Sequence, residues 1–190
     1  MLRGNHECRQ MTISFTFRQE ILLKYDQEVF NAFCDLFDFL PLSCVVNGKF
    51  LALHAGISPE LKTLSDLNRI DRFHEIPKNG LFCDILWADP IESEDGCVPG
   101  KFQFNHNRNC SYIFGIEATA KFLSNNNLMS IIRAHEVQYE GYRMYNWKSS
   151  SYRDRDRNFP QVITIFSAPK YSDSYNNKGA IIKFEVQAFF

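Results

Sequence analysis

The 190-residue chain predicts an α/β sandwich, a β core flanked by helices. Two patterns and one compositional fact point there. Apolar residues recur every three or four positions near the start, whereas short apolar runs bounded by turn residues dominate later. Helices early and strands late fit a layered α/β domain. With 45% hydrophobic and 15% aromatic residues, 18 of them Phe, the chain can bury a substantial core, which excludes global disorder. No repeat or linker divides it, so residues 1–190 form one domain.

From Thr12 to Phe39 the residues Leu22, Tyr25, Val29, Phe33 and Leu36, with Leu40 just beyond, keep helical spacing among charged residues, and Pro41 ends the region. Ser43 to His54 predicts two strands around the turn pair Asn47-Gly48. Ser58-Pro59-Glu60 has the form of a helix start, with serine as cap and proline in the first turn. Glu117 to Leu123 is helical. Leu128–Ala134, Tyr142–Tyr145, Val162–Phe166 and Ala180–Val186 are strands. The polar stretch between Asn146 and Asn158, with charges of alternating sign from Arg153 to Arg157, predicts a solvated loop rather than a docking segment.

A net charge of −1 gives no electrostatic reason to expect nucleic acid or a membrane surface. No apolar run approaches the roughly 18 residues of a membrane span, and the start has no signal-peptide pattern. Cys8, Cys34, Cys44, Cys83, Cys97 and Cys110 form no C-x-x-C pair. They predict reduced, mostly buried thiols in cytoplasm or nucleus.

The chemistry concentrates in Leu2-Arg3-Gly4-Asn5-His6-Glu7. The side-chain oxygen of Asn5 can coordinate a divalent cation without adding charge, and His6 beside it can donate a proton. Gly4 permits a tight or left-handed path, so that adjacent side chains serve two roles. Alone, an Asn-His pair is more often a polar loop. Two further histidines raise its standing. His54 follows the apolar run Phe50-Leu51-Ala52-Leu53, and His135 follows Ile131-Ile132-Arg133-Ala134; both stand where strands end, as ligands at the mouth of a sheet do. His74 and His106 lack such a setting and are taken as structural or solvated.

Five segments, in order, resemble the motifs of the phosphoprotein phosphatase family of serine/threonine phosphatases: Arg3-Gly4-Asn5-His6-Glu7, His54-Ala55-Gly56-Ile57-Ser58-Pro59, Leu86-Trp87-Ala88-Asp89-Pro90, Arg133-Ala134-His135-Glu136 and Phe166-Ser167-Ala168-Pro169. Within the family the chain most resembles the calcineurin catalytic subunit, through Phe15-Thr16-Phe17, Asp71-Arg72-Phe73, Cys83-Asp84-Ile85 and Gly141-Tyr142-Arg143-Met144-Tyr145. The resemblance implies a metallophosphatase-type β-sandwich. It implies a binuclear centre of iron with zinc, or manganese, whose bridging hydroxide attacks phosphoserine or phosphothreonine without a covalent intermediate. By the same resemblance Asn5, His54 and His135 are ligands of one metal, His6 is the general acid, Arg108 grips the phosphate and Tyr171 lines the site. It also implies phosphoprotein substrates, a calcineurin B-like regulatory subunit and calmodulin, although the segments that bind the last two have no counterpart in the sequence.

Departures from the family pattern are specific. Asn109 stands where Gly is usual after the arginine, and the segment before Arg108 is shorter. Lys170 replaces an Asn, Ala88 a Ser and Ala55 a Gly. The family's Gly-Asp-x-His-Gly and Gly-Asp-x-Val-Asp-Arg-Gly strings, which supply the other ligands, do not occur, so the domain is expected to be incomplete at its N-terminus. Three neutral ligands leave a cation's charge uncompensated. Weak metal binding, little or no hydrolysis by this chain alone, and apolar faces that lack a cover are therefore expected. Two other readings compete: a non-catalytic phosphatase-like protein that binds phosphoproteins, and a metallophosphoesterase for small molecules. The segments around Trp87 and Tyr142 argue against the second.

Overall fold

The computed structural model describes residues 1–147 and 159–185. Three helices open it: α1 (Arg9–Ser14), α2 (Phe17–Lys24) and α3 (Gln27–Phe39). The single helical region of the sequence is thus broken twice. Thr16 takes a left-handed conformation with φ of 71°, and Asp26 restarts the chain as the cap of α3, its Oδ1 accepting from Val29 N–H at 3.0 Å. Leu40 then turns extended ahead of Pro41, the conformation that proline imposes on its predecessor.

Strands β1 (Ser43–Val46) and β2 (Phe50–Leu53) form the expected hairpin. Asn47 and Gly48 both have positive φ, 52° and 63°, as a tight turn matched to strand twist requires. No helix starts at Ser58. Its hydroxyl does accept from Glu60 N–H at 3.1 Å, as a cap would, while donating to Asp84 at 2.6 Å, yet the next helix is the short α4 (Leu64–Leu67). Helix α5 (Leu81–Trp87) follows, a run too apolar and too short for periodicity to reveal.

Five strands make the main sheet, in the order β1-β2-β6-β8-β7, with β6 at Ser130–Arg133, β7 at Tyr142–Tyr145 and β8 at Val162–Ile165. A second sheet of β3 (Asp89–Pro90), β5 (Tyr112–Phe114) and β4 (Phe102–Phe104) was not apparent from the sequence. Helix α6 (Ile116–Asn125) contains the predicted helix. Ala180 to Glu185 forms no strand, contrary to expectation; Val186 and most of the loop between Asn146 and Asn158 lie outside the described residues.

Registers explain where the core sits. Leu51 pairs with Ile131 and Ile131 with Val162, so one row crosses three strands, and all three side chains are fully buried. Each such side chain contributes about 1.5–3 kcal/mol by leaving water. Phe114 of the second sheet and Ile85 and Leu86 of α5 join the same cluster. Strands β2, β6 and β8 run parallel, so their carboxyl ends emerge on one edge, where ligands gather in α/β sheets.

Candidate metal centre and phosphate pocket

His54 is the first residue after β2, and His135 lies two residues beyond β6. Ala134 N–H donates to His54 O at 2.9 Å and ties these exits together. His54 Nε2 consequently stands 3.0 Å from His135 Nδ1. Asn5 completes the group, its Oδ1 being 2.8 Å from His54 Nε2. The predicted ligands therefore converge, although they are far apart in the chain.

The Asn5 loop is anchored from beneath. Arg3 is fully buried; its guanidinium donates to Asp38 at 2.7 Å, to Arg72 O at 2.8 Å and to Glu7 O at 2.9 Å. Glu7 turns back to accept from Gly4 N–H at 2.9 Å. Of the two paths expected at Gly4, tight or left-handed, the structure has the tight one: Glu7 N–H donates back to Gly4 O at 3.2 Å, and Gly4 is not left-handed. Its role is close approach: a Cβ there would lie 2.6 Å from Glu7 Oε2 and 2.9 Å from the His54 ring.

Burial, reinforced by the Arg133 charge, lowers His54 to about 3 and His135 well below its ordinary value. Both imidazoles are neutral and present lone pairs, as metal ligands must. His135 Nε2 is buried without a hydrogen-bond partner, a buried polar atom left over in a site otherwise well paired. This donor set fits one divalent cation in part. No carboxylate belongs to it, and among the described residues no three His, Cys, Asp or Glu side chains form a metal-binding group.

Asn5, His6, His54, Arg108, His135 and Tyr171 all line one cavity of about 870 Å³. His6 packs against Phe15, with ring centroids 5.1 Å apart. Tyr171 packs against Phe166, also at 5.1 Å. Arg108 donates from Nε to Asp89 Oδ2 at 2.9 Å, and among the described residues no partner holds its two terminal nitrogens, which leaves them available to an anion in the cavity. His74 and His106 stand apart from the cavity lining.

Sequence reasoning missed the support under Arg108. Asp89 accepts from Arg108, from Arg133 Nη2 at 2.9 Å and from Asn105 Nδ2 at 2.9 Å. One signal was available: an arginine inside the apolar run Ile131-Ile132-Arg133-Ala134 must find a buried carboxylate. The cysteines are all free, with Cys8, Cys34 and Cys83 buried, Cys110 half-buried, and Cys44 and Cys97 exposed. Burial pushes Cys83 up to about 12 and Cys8 to about 11, so both stay protonated and inert at neutral pH.

Two neutral imidazoles and an amide at parallel strand ends, beside an arginine anchored on a buried carboxylate, make a site suited to a cation and a phosphate. The chain belongs to the calcineurin-like phosphoesterase family, whose model matches residues 1–139. It is 50% identical over 193 aligned positions to the serine/threonine-protein phosphatase 2B catalytic subunit A1 of Saccharomyces cerevisiae, covering 97% of this chain and 34% of that protein. The A2 subunit of the same yeast is 44% identical over 210 positions, with the same coverage. A solved yeast serine/threonine phosphatase, described as similar to human phosphatase PP5, superposes with a TM-score of 0.76 at 36% identity, over 94% of this chain and 50% of the other. The chain thus spans about a third of the length of the curated relatives it matches. Among the described residues, no helix is long and apolar enough to cross a membrane.

Proposed function

We propose that this chain carries the substrate-facing half of a serine/threonine protein phosphatase site. The observation that carries the reading is the convergence of Asn5, His54 and His135 in the cavity that also receives His6 and Arg108. Arg108 would hold two phosphoryl oxygens through its free nitrogens. His6 would protonate the departing serine or threonine oxygen, and its contact with Phe15 restricts the ring to the cavity wall. Tyr171, which lines the same cavity, would border the phosphate. Asn5, His54 and His135 would hold one metal ion; the metal pair that the family implies supplies Lewis-acid stabilisation and an activated water. Cytoplasmic or nuclear phosphoproteins are the substrates, and a calcineurin B-like subunit and calmodulin are the regulatory partners in this reading.

The neutral donor set favours a second reading for the 190 residues by themselves, a phosphoprotein-binding module without turnover. Fragment complementation separates the two. The chain is mixed with manganese, a phosphoserine peptide and the part of yeast subunit A1 that lies outside its matched region. Phosphate release that requires both pieces and disappears in His6→Asn supports the phosphatase. Release no greater than that of His6→Asn overturns it.

A further inference from the structure

We propose that Asn105 is a positioning residue for Arg108, an inference that rests on the phosphate-gripping role proposed above. Asn105 is 1% exposed and leaves no polar atom of its amide idle. Its Nδ2 donates to Asp89 Oδ2 at 2.9 Å, the same oxygen that accepts from Arg108 Nε. Its Oδ1 accepts from the Arg108 backbone N–H at 3.3 Å. One buried amide thus grips the arginine at both ends, directly at the backbone and through Asp89 at the guanidinium. Asn105 N–H donates in turn to Ser111 O at 3.0 Å, which closes the loop that carries Arg108.

The arrangement solves a particular problem. An arginine that grips phosphate needs its terminal nitrogens free, yet a free arginine loses rotamer entropy on binding. Engaging Nε alone removes that freedom beforehand and leaves the two terminal groups for the ligand. Asp89 could not perform this alone, because its carboxylate is shared with Arg133 and must present one oxygen toward Arg108. The Asn105 amide fixes which oxygen that is. Asparagine is the side chain that donates to the carboxylate and accepts from the backbone at once.

The test uses the ¹⁵N-labelled 190-residue chain and inorganic phosphate. The Arg108 Nε–H resonance and the phosphate affinity are measured in wild type, Asn105→Ala, the near-isosteric Asn105→Asp, Arg108→Ala and the Asn105→Ala/Arg108→Ala double variant. Both Asn105 variants should move the Arg108 Nε–H signal toward that of a solvent-exposed arginine and weaken phosphate about five- to tenfold, the effect of one net hydrogen bond or slightly more. In the Arg108→Ala background, Asn105→Ala should weaken phosphate no further, whereas a merely structural role would lower thermal stability and phosphate affinity alike in both backgrounds. An unmoved Arg108 signal, or equal losses of affinity in the two backgrounds, overturns the proposal. An Arg108 signal that follows Asn105 while Arg108→Ala leaves phosphate uptake unchanged overturns the phosphate role of Arg108 instead.

Discussion

Arg133 donates from Nη2 to Asp89 Oδ1 at 2.9 Å, and this buried pair joins the last residue of β6 to the first residue of β3. The same guanidinium reaches Ala55 O at 2.6 Å through Nε and Glu136 Oε2 at 2.6 Å through Nη1. It therefore braces the loops that follow both histidine-bearing strands, and it sets the carboxylate on which Arg108 rests.

Replacing Arg133 with Met should cost about 3–5 kcal/mol, because it takes from Asp89 and Glu136 the buried guanidinium that the two carboxylates share. Urea denaturation measures this directly. The double variant Arg133→Met/Asp89→Asn should recover part of the loss, since the stranded charge is gone. A single-variant loss of less than about 1 kcal/mol, the value of an ordinary exposed pair, would show that the pair does not brace the two sheets.

Asn5→Asp should raise manganese affinity in the isolated chain by about tenfold or more. It adds one negative charge to a neutral donor set beside a dication, where even a water-like dielectric gives ~1 kcal/mol per unit charge at about 4 Å and so ~2 kcal/mol in all. His135→Ala should lower the affinity below detection, because it removes one of only three donors. Isothermal titration of the purified chain reads both effects. Equal affinities in wild type and Asn5→Asp would mean that the ion sits elsewhere.

Much of this site was legible because its chemistry lies at strand ends. The runs before His54 and His135 show where β2 and β6 stop, and parallel pairing then brings the two histidines together. What was not legible depends on long-range partners. Neither Asp89 nor Asn105 stands in a periodic pattern, and their roles appear only once the chain folds back to join positions 16 apart in sequence. The small sheet was missed because strands of two or three residues carry too few positions to show alternation. The helix start expected at Ser58 amounts to a single turn: its hydroxyl accepts from Glu60 N–H as a cap does and Leu61 N–H donates to Ser58 O, but no helix continues from it. The extended run after Ala180 has strand-like composition, yet its described residues pair with no strand.

Lys170→Asn should stabilise the chain by roughly 0.5–1 kcal/mol. Lys170 holds φ of 51°, a left-handed conformation that costs an ordinary L-residue ~1–2 kcal/mol and asparagine less. Asn109, at φ of 55°, already has the more tolerant side chain where the family has glycine, so Asn109→Gly should gain little, its relief offset by ~0.4–1 kcal/mol of unfolded-chain entropy. Thermal denaturation of the two variants should therefore separate them, with Lys170→Asn above Asn109→Gly. The reverse order would mean that contacts of the side chains outweigh backbone strain.

Asp84 sets the final expectation, which concerns pH. It is a buried residue of α5, and its side chain accepts from the Ser58 hydroxyl at 2.6 Å. Burial raises its pKa above 3.8, against the opposing effect of the Ser58 hydrogen bond. The folded chain then holds the proton more tightly than the unfolded chain does. The contribution of this group to stability is complete below pH 3.8 and declines as pH rises through the folded value. Asp84→Asn keeps an acceptor for Ser58 and removes the charge. The variant should therefore match wild type in acid and exceed it increasingly toward neutral pH, as followed by denaturation midpoints across that range. A difference that stays constant with pH would assign the effect to packing and not to the buried charge.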